Sequence, residues 1–328
     1  MKSSAMAQWR EFKSGSYYEN NKNKLTRGAK DFLMTLFRVI LIVGISYVIL
    51  SPVIGIVTSS FFSDSDQYNP MVFTIPISPT LLRYEKAVTH LKYLQTVGFT
   101  LAYSIGITAL QVFVCSMVGY GFARFNFPLK KLLFGCVVVM IVLPVHTIML
   151  PLYVAFRNFD PLGVISTVGG SAINLMGTVW PMGIMTAMGC GLRSGLYIYI
   201  FNQFFRGLPK EIEEAALVDG AGTMYTYFRI MLVNAMPAVI TVSVFSLVWQ
   251  YNDIFYGNLF NLSSDLLIGK RIATLSDNIA NIEKVLDPNI QRLFMNAGVV
   301  LVMIPIVLIY LVLQKQFIEG VERSGIVG

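Results

Sequence analysis

Long runs without a charge alternate along this chain with short charged segments. Only Arg38 interrupts the apolar stretch Phe32 to Phe61. Tyr93 to Ala123, Leu132 to Phe156, Ile230 to Asn252 and Leu293 to Gln314 contain no Asp, Glu, Lys or Arg. A helix needs about 20 apolar residues to cross a bilayer, so each run predicts one transmembrane helix. A further span comes from Pro161 to Phe205, whose sole charge is Arg193. That length suits two short spans or one span preceded by a membrane-facing, Gly-rich segment. Parity favours one, at Ile184 to Phe205. Two would place the charged stretch after Phe205 outside and leave an odd number of helices.

Charge sets the orientation. Lys2, Arg10, Lys13, Lys22, Lys24, Arg27 and Lys30 crowd the first 31 residues against Glu11, Glu19 and Asp31, and Arg124, Lys130 and Lys131 share one short loop. Loops rich in Lys and Arg stay in the cytoplasm. The expectation is an all-α membrane protein of the cell membrane with six transmembrane helices, multi-pass, both termini cytoplasmic. Residues 1–31 form a polar, loosely ordered cytoplasmic tail, and 32–92 a first span, retained as an anchor, with an outer loop. Residues 93–320 make up the core and 321–328 a cytoplasmic C-terminal tail. Ser63 to Lys92 and Asp253 to Arg292 lie outside.

Composition excludes several classes. The chain has 328 residues, 55% apolar and 13% charged, where soluble domains carry about 25% charged residues. A soluble enzyme with one apolar core is ruled out. The net charge of +7 reflects topology, because no basic stripe alternates with aromatics as in single-strand binders, so no nucleic-acid partner is implied. Cys115, Cys136 and Cys190 lie inside apolar runs and read as packing residues. His90 and His146 have no carboxylate or Cys at ligand spacing, so no metal is implied. None of the spans contains an acidic residue, which argues against an ion-coupled carrier.

One cytoplasmic loop carries most of the information. Pro209 suits a first helical position, Glu211, Glu213 and Glu214 favour the positive end of a helix dipole, and Gly220 suits a left-handed C-terminal cap. Ile212, Ala215, Ala216 and Leu217 form an apolar strip with two very small side chains, which lets another backbone approach closely at Ala216. Thr223 can cap a second helix, MYTYFRIM, that returns to the membrane. On helix signals alone, a hairpin that merely returns the chain reads as well as a docking element.

The order Glu, Ala, Ala, three residues, Gly, nine residues, Ile, one residue, Leu falls here on Glu214, Ala215, Ala216, Gly220, Ile230 and Leu232. It resembles the EAA signature of permease subunits of binding-protein-dependent ABC importers. The signature's proline is Val233 in this chain, with Pro237 four residues later. YGFARFNFP, LPVHTIMLPLYVAF, FNQFFRGLPKEIEEAA and WQYNDIFY, in order, resemble the carbohydrate branch typified by maltose permeases. The tail after QKQF ends in Val327 and Gly328 where that branch usually ends in Lys and Gly.

The resemblance implies a sugar or oligosaccharide importer. Amino-acid and phosphonate permeases share the loop and remain alternatives. It further implies a coupling-helix hairpin between spans four and five, with Glu213, Glu214, Ala215, Ala216, Asp219 and Gly220 at the interface with a cytoplasmic ATPase dimer. The chain itself has no G-x-x-x-x-G-K-[ST] run. It is therefore expected to be a transporter subunit and not an enzyme, without a cofactor of its own, ATP and Mg belonging to the ATPase. The other implied partners are a second permease chain, an extracytoplasmic solute-binding protein, the carbohydrate and the lipid bilayer.

Four residues are candidates for the substrate path. Arg193 is ionisable at membrane depth, which marks either a functional group facing a cavity or, if the span is displaced, an interfacial charge. Tyr251, Asn252 and Asp253, which end span five after Trp249, offer an aromatic face and hydrogen-bonding groups of the kind that hold sugar rings. An aromatic belt predicts the same residues.

Overall fold

The computed structural model describes residues 16–167, 170–263 and 265–325. The N-terminal residues Lys2, Arg10, Glu11 and Lys13 of the tail, and Val327 and Gly328, lie outside them. Apart from one isolated antiparallel bridge between Phe159 and Ile173, the described residues form helices and their connections. The chain divides into two units, one ending at Ser59 and the other beginning at Ser60.

The described residues of the first unit form one helix, α1 (Ser16–Ser59). It begins well before the apolar run. The expectation of loose order up to residue 31 is corrected here, because the helix already includes 16–31. Asp31 accepts the Thr35 hydroxyl on its carbonyl inside that helix.

In the second unit α2 (Leu82–Leu91) leads through Lys92, at φ 47°, into the long α3 (Tyr93–Arg124). At 1.5 Å per residue, the 32 residues of α3 make a helix about 48 Å long. α4 (Lys130–Val142) and α5 (Met149–Arg157) follow, bent by 106° at a break that includes Pro144. Proline before a helix start cannot continue the preceding ladder. Then come α6 (Trp180–Ala187), α7 (Ser194–Gly207), α8 (Glu211–Val218) and α9 (Thr223–Asn234), whose middle is a π turn at Tyr227–Met231. α10 (Met236–Tyr251) leaves α9 at 77°. The bend falls at Ala235, and Pro237 occupies the first turn of α10, so Pro237 takes the helix-breaking place that Val233 leaves vacant. α11 (Phe255–Leu259), Ile268–Ala273, α12 (Leu275–Ile282) and α13 (Pro288–Gly325) complete the unit.

Among the described residues, α1 from Lys30, α3, and α13 as far as Lys315 are long and apolar enough to cross a membrane, and the two bent pairs raise the number to five. The expected continuous span from Ile184 to Phe205 is not one helix. Gly189 (φ 73°) and Arg193 (φ 62°) hold left-handed backbone between α6 and α7, and neither supports a right-handed ladder.

α3 is the spine against which α6, α7 and α10 pack. At Gly119 an added Cβ would lie 2.6 Å from the Phe201 Cβ on α7, so this crossing requires glycine. At the Lys92 end of α3, the outer-loop stretches expected to be connectors are packed helices instead. Ala87, Leu91, Leu275 and Ile279 are fully buried there with Leu293 and Phe294 of α13. The sequence pattern missed this because short amphipathic helices between charges look like polar loops.

Candidate functional site

Two polar assemblies stand out along α3, and the residues singled out from sequence fall into them or beside them. The first surrounds the break between α6 and α7. A Cβ at Gly191 would meet Thr186 Oγ1 at 2.5 Å, so only glycine lets the chain turn back here. Gln111 of α3, fully buried, donates through Nε2 to the Leu192 carbonyl (2.7 Å) and the Ser194 hydroxyl (2.9 Å). Its Oε1 accepts the Ser246 hydroxyl of α10 at 2.7 Å, and Ser246 and Thr108 share a further hydrogen bond of 3.0 Å. One carboxamide thus ties three helices to an irregular backbone that would otherwise leave polar groups unsatisfied at membrane depth.

Arg193 projects from this break. Its guanidinium carbon lies 4.1 Å from the centre of the Trp249 ring, and both side chains are exposed. The structure thus brings two of the four path candidates together, in cation–π geometry. It does not bring the others to them. Tyr251 is buried and donates its hydroxyl to the Val302 carbonyl of α13 (2.9 Å), and Asn252 donates to the Val248 carbonyl one turn back. Just beyond α10, the Asp253 carboxylate accepts the Tyr256 and Gly257 N–H groups, and burial holds its carboxyl above the usual carboxylate range.

The second assembly is at the Arg124 end of α3. The first turn of α8 carries Glu211, Glu213 and Glu214, as its dipole favours. Its end is a Schellman motif: Gly220 N–H donates to the Leu217 carbonyl, Ala221 N–H donates to the Ala216 carbonyl, and Gly220 has φ 81°. Left-handed Gly220 is as expected from sequence. Pro209, expected at the first helical position, stands just before the capping residue Lys210.

Of the three acidic residues in that turn, Glu213 reaches inward. Its Oε1 accepts the Tyr120 hydroxyl at 2.5 Å and its Oε2 lies 3.2 Å from Arg124 Nε, while Arg124 Nη2 also donates to the Leu208 carbonyl (2.8 Å). Tyr120 is itself wedged among Phe125, Phe205 and Tyr227, ring centres 5.2 to 5.4 Å away. Glu214, Ala215, Asp219 and Gly220 are exposed, as is Val218 at 86%. Ala216 is 5% exposed in the chain by itself, recessed between the exposed residues of α8. It lines a hollow of about 760 Å³, together with 219–222 and with Tyr225 and Arg229 of α9.

Sequence reasoning missed Gln111, Ser246, Tyr120 and Arg124 as structural keys. A signal was present for Gln111: Ser104, Thr108 and Gln111 recur at helical spacing in an otherwise apolar run, and mark one polar face.

With the geometry in place, similarity gives the class. A family model described as binding-protein-dependent transport system inner membrane component matches residues 111–323. A probable ABC transporter permease of Pyrococcus horikoshii is 27% identical over 85% of this chain and 92% of its own length. The diacetylchitobiose uptake system permease of Streptomyces coelicolor is 24% identical, covering 85% of this chain and 84% of that protein. The arabinooligosaccharides transport system permease of Halalkalibacterium halodurans is also 24% identical, covering 87% and 93%. The fold matches a chain in the crystal structure of a bacterial ABC transporter that imports alginate, with a TM-score of 0.68 and 16% identity over 88% of this chain and 98% of that one. The family match covers about two thirds of the chain, from Gln111 onward, and the chain belongs to the family of binding-protein-dependent transport system inner membrane components.

Proposed function

We propose that the chain is a membrane-spanning subunit of an ATP-driven importer that forms part of the path for a sugar or oligosaccharide. Its class follows from the family, and the sugar from relatives named for diacetylchitobiose and arabinooligosaccharides. In this reading it crosses the membrane six times, the fourth crossing made by α6 and α7 together, with both termini in the cytoplasm. ATP and Mg are held by a separate ATPase dimer that captures α8 through Glu214, Ala215, Asp219, Gly220 and the hollow above Ala216. A second permease chain completes the path, and an extracytoplasmic binding protein delivers the sugar.

The observation that carries the mechanism is the Glu213 latch. A displacement of α8 acts on Tyr120 and Arg124, hence on α3. Nine residues along α3, about 14 Å, Gln111 holds the Leu192 carbonyl and Ser194 on either side of Arg193. Arg193 and Trp249 thereby sit on an element that moves with α8, as rigid-body switching between two states requires. The exposed guanidinium and indole offer hydrogen bonds and a flat face to a passing sugar ring.

Uptake of labelled oligosaccharides by cells carrying the full importer, with and without this chain, tests the reading. Loss of uptake on deletion and its return on complementation support it. Uptake of amino acids or phosphonates in place of sugars would overturn the substrate class.

A further inference from the structure

At the end of α5 remote from the Lys130 loop, polar side chains from separate segments converge on a hollow of about 450 Å³. α5 contributes Tyr153 and Arg157 one turn apart, and the guanidinium donates to the Tyr153 hydroxyl at 3.0 Å. Asn174 comes from the segment before α6, and Asn258 and Asn261 from α11 and the residue pair after it. We propose that this hollow is a saccharide-binding subsite on the extracytoplasmic side, separate from the Arg193–Trp249 pair. It rests on the reading of the chain as a sugar importer, which puts this end of α5 outside.

Three observations carry the assignment. The first is chemical. Three carboxamides, a phenol and a guanidinium supply paired donors and acceptors matched to neighbouring sugar hydroxyls, and Met176 and Leu259 supply an apolar margin for the C–H face of a ring. Among the described residues no carboxylate lines the hollow and the Arg157 guanidinium is its one charge, which suits neutral or uronic sugars and repels a cation. The volume falls in the range of roughly 300–1,000 Å³ typical of ligand clefts.

The second is rigidity. The segment bearing Asn174 is pinned by paired hydrogen bonds between Phe159 and Ile173 (2.9 and 3.0 Å), by Leu175 N–H to Phe156 O (3.0 Å) and by Gly177 N–H to Phe260 O (2.7 Å). Beneath it Phe156 and Phe260 meet edge to face at 5.3 Å within one apolar cluster. The walls are therefore fixed relative to one another before any ligand arrives, which lowers the ordering cost of binding.

The third is the fixing of the rim residues. Asn261 has φ 55°, a left-handed backbone that Asn adopts more readily than other non-glycine residues. Asn174 is likewise fixed, its Oδ1 accepting the Met176 N–H at 3.0 Å.

The test uses the complete importer in liposomes with its ATPase, second permease and binding protein, and two probes, maltotriose and a trimer of mannuronate. Saccharide binding to the solubilised permease pair is measured alongside by saturation-transfer NMR. Asn258→Ala, together with Asn261→Gly, which keeps the left-handed backbone, should raise the KM of the transported probe about tenfold, the effect of about 1.4 kcal/mol of lost binding. The NMR signal should fall with it. Asn258→Asp, of the same shape with a negative charge, should weaken the acidic probe more than the neutral one. Wild-type KM and wild-type binding in these variants would overturn the subsite. Weakened docking of the binding protein with saccharide binding intact would also overturn it, marking the hollow as a protein contact. A wild-type importer that moves neither probe would count against the sugar reading, and the NMR measurement would still judge the hollow.

Discussion

At the Lys92 end of α3, Leu91, Leu275 and Ile279 are fully buried against α13, and charges are tied across long stretches of chain. Glu283 receives Lys86 Nζ and faces His90 Nε2, both at 2.8 Å, and Arg271 donates to the His90 carbonyl and to Asp265. At the Arg124 end, α8 has among the described residues a single charged tie, Glu213, and leaves Leu217 and Val218 at 54% and 86% exposure. One lobe is built into the bundle, while the other has one charged tie and keeps apolar surface uncovered. Burial with many ties makes a region part of the rigid body, and one charged tie on an exposed helix makes a handle. The handle is the end that a partner can move.

The largest expected effect breaks the first half of the comparison. Leu275→Ala should lower stability by about 2–5 kcal/mol, the cost of truncating a core leucine, whereas Leu217→Ala on exposed α8 should stay within about 0.5 kcal/mol. Thermal unfolding in detergent measures both. Equal losses would show that α8 is packed as firmly as the ion-paired lobe.

Next in size is the tie itself. Glu213→Gln keeps the shape but removes the charge from the bonds to Tyr120 and Arg124, and hydrogen bonds to charged groups are worth roughly 1.5–3 kcal/mol. The protein should fold and insert, the ATPase should still co-purify, and uptake should fall severalfold. Unchanged uptake at matched membrane levels would mean that α8 acts on the bundle by another route.

These elements differed in how plainly the sequence announced them. The long helices were legible because a run of about 20 apolar residues has few other fates, and the α8 turn because Gly220 follows a helix pattern that must stop. The α6–α7 break was hidden, since hydropathy registers Gly189 and Arg193 as one small residue and one charge and says nothing of backbone hand. Gln111 was invisible to a count of charges, being polar but neutral. The Glu213 latch was half visible: its carboxylate stood in the signature region, but only folding places Tyr120 and Arg124 of α3 beside it.

Gly220→Val is a smaller and more local perturbation. A Cβ there meets nothing within 4 Å, so the cost is backbone strain alone, about 1–2 kcal/mol for a left-handed residue. The end of α8 should loosen, read as faster limited proteolysis near 218–222, and Gly220→Asn should restore protection because Asn tolerates this conformation. Equal protection in all three proteins would remove the Schellman cap from the account of the handle's stiffness.

The smallest effect belongs to the ion-paired lobe and depends on pH. Hydrogen bonds from Lys86 and then His90 hold the Glu283 carboxyl below the usual carboxylate range. A carboxyl depressed in the folded state stabilises the fold fully above its ordinary pKa of about 4.3 and loses that contribution as pH falls through the lower folded value. Wild type should therefore melt slightly higher than Glu283→Gln at neutral pH, and the two curves should converge in acid. The gap stays small because Lys86 is 40% exposed and solvent screens exposed pairs. Burial of Leu91 and Leu275 should hold the lobe in place after Glu283 is neutralised. If acid instead released the whole lobe in the wild type, judged by hydrogen exchange in α2 and α12, the ion pairs and not the apolar cluster would be what binds it to the bundle.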